Sequence, residues 1–183
     1  PKYAIGDSFY NPKFFNEPVV ASYAYQALMH EIGHTLGLKH GHLPQRSPDG
    51  SVKFPALFLR HDTMEYSVMT YRSFFRDSIE DGYNNEQFGF AQSLMMLDIA
   101  ALQHLYGADY TYRASNTVYS WNPRTGEMSV NGDGQGKPGA NRVFLTIWDG
   151  GGEDTYDMSN YGRASFQSCR GSSLPDLIPR AIW

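Results

Sequence analysis

Tyr23, Ala27, His30 and His34 recur at spacings of three and four, which puts them on one stripe of a helix. Ser22 stands where its hydroxyl can accept an orphan N–H of a first helical turn, and no proline interrupts residues 23–36. Gly37 enters a left-handed conformation without a Cβ penalty, so the pattern predicts a helix over 23–36 that stops there. A second helical period, Leu94, Leu97, Ala101 and Leu105, predicts a helix over 94–106, with Ser93 as cap, Gly107 as stop, and Met95 and Met96 filling core. Upstream, Gly6-Asp7 and Asn11-Pro12 read as turns around a short extended piece over 8–10. Residues 41–88, with Pro44, Pro48 and Pro55, carry neither period; a connection of that length in a compact domain is more often functional than idle. Beyond Gly107 the texture becomes β-like, with β-rich pieces at 117–121 and 142–148 separated by a flexible run over 131–140. Half of the 18 glycines fall between Gly126 and Gly162. The expected fold class is α+β.

Composition narrows the function classes. The chain has 183 residues, enough for one domain or one domain and a piece of another. An aromatic fraction of 15% argues against disorder. A net charge of −4 gives no basic footprint for nucleic acid, and no apolar run approaches the roughly 18 residues of a membrane span. Cys169 is the single cysteine, which excludes an internal disulfide framework and a cysteine-based zinc cluster.

The chemistry is concentrated in the run from His30 to His40, His-Glu-Ile-Gly-His-Thr-Leu-Gly-Leu-Lys-His. His30 and His34 lie one helical turn apart, so both imidazoles leave the same face, a spacing suited to one zinc ion. Glu31 sits between them, where a general base for a metal-activated water belongs. Gly37 lets the chain turn so that His40 can return as a third ligand. Three nitrogen ligands leave a coordination position open, the pattern of a catalytic and not a structural zinc. The reaction implied is hydrolysis of a peptide bond. Met69, in Ser-Val-Met-Thr-Tyr some 30 residues on, fits the methionine turn beneath the three-histidine site of metzincins.

These motifs, with Tyr23-Ala24-Tyr25-Gln26, the run from Asp98 to Gln103, Leu105-Tyr106-Gly107-Ala108 and the run from Thr146 to Thr155, resemble the serralysin-type secreted bacterial metalloproteases over residues 3–161. The resemblance implies zinc on His30, His34 and His40, Glu31 as general base, and Met69 as the floor of the site. It also implies that Tyr71 ligates zinc at rest and stabilises the tetrahedral intermediate in reaction. A calcium site is implied at Arg113, Ser115, Thr117, Asp149, Gly151, Gly152 and Asp154, at the entry to a β-roll; Ser115 departs from the family's usual glycine. The expected organisation is a partial metzincin-like catalytic domain over 1–107, the start of a calcium-binding β-roll over 108–161, and a divergent tail over 162–183. The expected protein is a secreted, extracellular, monomeric zinc endopeptidase acting on proteins or peptides. The alternative is a catalytically inactive metal-binding fragment.

Two departures support that alternative. Only 29 residues precede His30, where the family carries a twisted sheet that forms the upper wall of the cleft and would cover Leu28 and Ile32. No G-G-x-G-x-D repeats follow Thr155, and the tail resembles nothing in the family. A frame shift or truncation of the gene near residue 162 would account for the tail, with export in question; resequencing that stretch tests it. His42, His61 and His104 read as surface or helix histidines, Glu65 as solvated, Asn131-Gly132-Asp133-Gly134 as a flexible loop, and Cys169 as uninvolved in catalysis.

Overall fold

The structure is a computed structural model, which describes residues 10–15 and 17–162 and the backbone of 168–169 and 181–182. Helix α1 spans Pro12–Phe15. Helix α2 spans Tyr23–Thr35, with Ser22 Oγ accepting from Tyr25 N–H at 3.3 Å as a cap. Its end is a Schellman turn: Leu38 N–H donates to Gly33 O and Gly37 N–H to His34 O, both at 2.9 Å, with Gly37 at φ +91°. Strands β1 (Gln45–Arg46) and β2 (Val52–Phe54) form a small antiparallel hairpin inside the otherwise irregular 41–88 stretch.

Helix α3 spans Met96–Tyr106 and starts two residues later than its apolar period suggests. Ser93 does not cap it. Its hydroxyl instead accepts from Thr146 N–H at 2.8 Å and lies 3.0 Å from Thr146 O. The cap belongs to Asp98, whose carboxylate accepts from Met95 N–H at 2.9 Å. Gly107, at φ +87°, ends the helix as expected.

Strands β3 (Val118–Trp121), β4 (Met128–Val130), β5 (Asp133–Gly134) and β7 (Thr155–Asp157) form a sheet in the order β5-β4-β3-β7. β3 and β4 are antiparallel, whereas β3 and β7 run parallel, with Val118 opposite Thr155. The segment 131–134 is not a loose loop. Asn131 and Gly132, both at positive φ, form the two-residue turn of the β4–β5 hairpin, and Asn131 Oδ1 accepts from Val118 N–H at 2.8 Å. Of 142–148 only β6 (Leu145–Thr146) is strand; it pairs with β9 (Ala181–Ile182), which pairs in turn with β8 (Ser168–Cys169). The extended piece over 8–10 falls almost wholly outside the described residues, as do most of the tail and the Cys169 side chain.

Two cores result. Leu38, Met64, Val68, Met69, Phe90, Ala91 and Met95 pack between α2 and α3. Tyr119 and Trp121, the inward positions of β3, gather Val130, Leu145 and Ile147. Of the two apolar α2 residues expected to lie uncovered, Ile32 keeps 48% of its surface in solvent while Leu28 is half-buried; Tyr23, 52% exposed, lies on the His30 side of the helix and packs against Tyr83 and Phe90.

Candidate metal centre

Helix α2 presents His30 and His34 on one side, and the turn at Gly37 brings His40 back across them. His30 Nδ1 is 2.8 Å from Val68 O, and His34 Nδ1 is 2.9 Å from Leu38 O. Only a protonated Nδ1 can donate to a carbonyl, so both rings turn an Nε2 lone pair toward His40. His40 Nε2 lies 3.2 Å from His30 Nε2 and 3.0 Å from His34 Nε2. Two zinc–nitrogen bonds of roughly 2.0–2.1 Å at a tetrahedral angle put their nitrogens about 3.3 Å apart, so the donor set fits a zinc ion closely. Among the described residues this trio is the one group of histidine, cysteine or acidic side chains gathered tightly enough to hold a metal.

Burial favours the neutral form of His30 and His40. Burial pushes His30 below its ordinary value. His40 is pushed down to about 4, by burial first and then by the neighbouring His30 and His34. Tyr71 O–H lies 3.0 Å from His40 Nε2, and burial raises its pKa, so the phenol stays protonated. Glu31 is exposed and lines a cavity of about 610 Å³ with His30, Tyr71, Tyr83 and Phe90.

Met69, 2% exposed, lies directly beneath α2. A Cβ built on Gly33 would stand 2.5 Å from Met69 Sδ, so any side chain there would force the methionine or the helix to shift. The turn carrying Met69 is held by Asp98, which accepts from Ser67 O–H at 2.6 Å and Val68 N–H at 2.8 Å.

The second predicted site joins two loops. Asp154 Oδ1 accepts from Thr117 N–H at 3.1 Å, and Thr117 Oγ1 donates to Ser115 O at 3.0 Å. Gly152 lies so close to Ser115 that a Cβ would stand 2.6 Å from its carbonyl carbon, and Gly151 lies beside Ala114. Asp149 accepts from Gly151 N–H at 3.1 Å and from the Tyr119 hydroxyl, while the Arg113 guanidinium lies over the Tyr112 and Tyr119 rings. The seven residues therefore lie along one contact between the 110–117 and 149–154 loops, rich in carboxylate and carbonyl oxygens.

Several residues carry more than their sequence suggests. His42 is not a plain surface histidine: its ring stacks on His40, 5.4 Å away and 10° from parallel, and lies 5.1 Å from the Tyr71 ring. Its spacing of two from His40 was the available signal. Glu65 is half-buried, and burial raises its pKa, so it is not fully solvated. His61 packs on Tyr66, and His104 is exposed on α3. Asp98 and Ser67 stand in runs that carry the family resemblance, but nothing in the sequence pairs them with each other.

Residues 108–177 match the family described as Peptidase M10 serralysin C terminal. The chain is 35% identical over 166 residues to the metallopeptidase AprA of Pseudomonas marginalis, covering 87% of this chain and 32% of that protein. It is 32% identical over 177 residues to serralysin C of Dickeya chrysanthemi, covering 95% of this chain and 35% of the relative. Identity to the serralysin of Proteus mirabilis is 31% over 163 residues, 87% of this chain and 30% of the relative. The chain thus spans about a third of the length of these relatives. Across most of its own length, the chain is thus similar to the serralysin-type metalloproteases.

Proposed function

We propose that the chain carries the zinc-binding part of a secreted endopeptidase, with Glu31 as general base and the peptide bonds of proteins as substrate. The observation that supports this best is the convergence of His30, His34 and His40 at 3.0–3.2 Å, with two tautomers set by backbone carbonyls. Zinc, when bound there, would acidify a water and polarise the scissile carbonyl. Glu31, between the first two ligands and facing the 610 Å³ cavity, takes the proton of the attacking water and returns it to the leaving amine. Tyr71, adjacent to His40 and protonated, donates to the developing oxyanion. The calcium reading of Arg113, Ser115, Thr117, Asp149, Gly151, Gly152 and Asp154 belongs to the same proposal, as the entry to a β-roll whose stacking the parallel β3–β7 pair supports.

Glu31→Ala is the test. Casein cleavage is expected to fall at least 100-fold with zinc retained, since general-base removal costs roughly 10²–10⁴ in rate. Cleavage equal to the unmodified chain would refute the assignment. A second reading, a metal-binding chain without catalysis, is favoured by Ile32, an apolar residue of α2 left 48% exposed. It predicts zinc binding with no cleavage in either protein.

A further inference from the structure

A continuous run of hydrogen bonds connects the base of the molecule to one histidine of the trio. His30 Nδ1–H donates to Val68 O at 2.8 Å. The same peptide group carries Met69 N–H, which donates to Ser67 Oγ at 3.0 Å. Ser67 O–H donates in turn to Asp98 Oδ1 at 2.6 Å. Every donor points toward the carboxylate, so each bond polarises the next in the same sense. The other carboxylate oxygen accepts from Val68 N–H at 2.8 Å and Met95 N–H at 2.9 Å, which fixes Asp98 in place. The whole path is buried: His30, Ser67, Val68 and Met69 are nearly inaccessible, and Asp98 is 2% exposed. Burial raises the Asp98 carboxyl to about 6, which leaves it ionised at neutral pH.

Among the described residues, no such run backs His34. Its Nδ1 meets the Leu38 carbonyl, a local acceptor from the helix-ending turn. We propose that Asp98 is a positioning residue that acts through Ser67 and the Val68–Met69 peptide to orient His30 and raise the basicity of its Nε2. This is the role a carboxylate bonded directly to a ligating histidine plays elsewhere, here relayed over a hydroxyl and a peptide. The inference rests on the zinc reading above.

Zinc affinity of the purified chain, measured by competition with a chelating dye, tests it alongside the visible spectrum of the cobalt-loaded protein. Ser67→Ala breaks the path at its middle. Affinity is expected to fall roughly 10–100-fold, the usual effect of losing a partner behind a ligating histidine, and the cobalt bands to shift. Met96→Ala opens a cavity in the same helix without touching the path; it should melt lower yet keep affinity and spectrum. If Ser67→Ala does not fold, Asp98→Asn, which removes the charge, is read in the same way. Wild-type affinity and spectrum in the folded path variant would overturn the proposal, as would an equal loss in Met96→Ala. An unmodified chain that takes up neither metal overturns the zinc reading itself, and this inference with it.

Discussion

Gly33 and Met69 set the tolerance of the site at the level of single atoms. The 2.5 Å approach of a hypothetical Cβ to Met69 Sδ leaves no room for alanine unless helix or methionine moves. Overpacking of this kind costs about 1–3 kcal/mol, so Gly33→Ala should lower the unfolding free energy by that amount and shift the urea midpoint down. An unchanged midpoint would mean that Met69 relaxes freely. His40 gives the pH prediction. Its folded pKa near 4 lies below the ordinary 6.5, so between those values the unfolded chain binds more protons, and stability is lost as pH falls through the window. Asp98, raised to about 6, works in the opposite sense, so the whole chain's profile mixes the two. Comparing the metal-free chain with His40→Gln isolates the histidine: the variant should gain relative stability from pH 7 to pH 4.5. A constant difference between the two would contradict the buried, neutral imidazole. At this scale the motif residues were legible because their chemistry is carried by local spacing. Ser67, Asp98 and His42 were not, because their roles depend on neighbours that the fold supplies, Asp98 reaching Ser67 across 31 positions.

Among the elements, α2 was readable to within a residue of its end, because cap, apolar stripe and stop glycine agree. Helix α3 was readable in extent but not in its start: the Ser93 hydroxyl is drawn to Thr146, and only the folded pair reveals that competition. The β region was read least well. Strands of two to four residues have too few alternations to register, and the parallel partner of β3 lies 37 residues away in sequence at Thr155. The Asn131-Gly132 turn was a missed signal, since that dipeptide is a strong mark of a two-residue hairpin. The contact between the 110–117 and 149–154 loops carries the calcium prediction. Added calcium should raise the melting temperature of the chelator-treated protein, and Asp154→Ala should abolish that rise. A rise of equal size in Asp154→Ala would place the ion elsewhere.

Over the whole molecule, two cores meet where Ser93 and Gln92 bond to the 144–146 segment. Among the described residues no helix is long and apolar enough to cross a membrane. The family was legible in the sequence because the motif run and the 146–155 run stand far apart and agree. Catalytic competence was not, because it depends on what covers the exposed Ile32 side of α2 and completes the cleft. The central claim is narrower and can be tested directly: this chain assembles a three-histidine zinc site. The decisive measurement is the zinc content of the purified chain after dialysis, by elemental analysis, beside His34→Ala. The account predicts one zinc per chain, lost in the variant. Substoichiometric zinc in both proteins would contradict it.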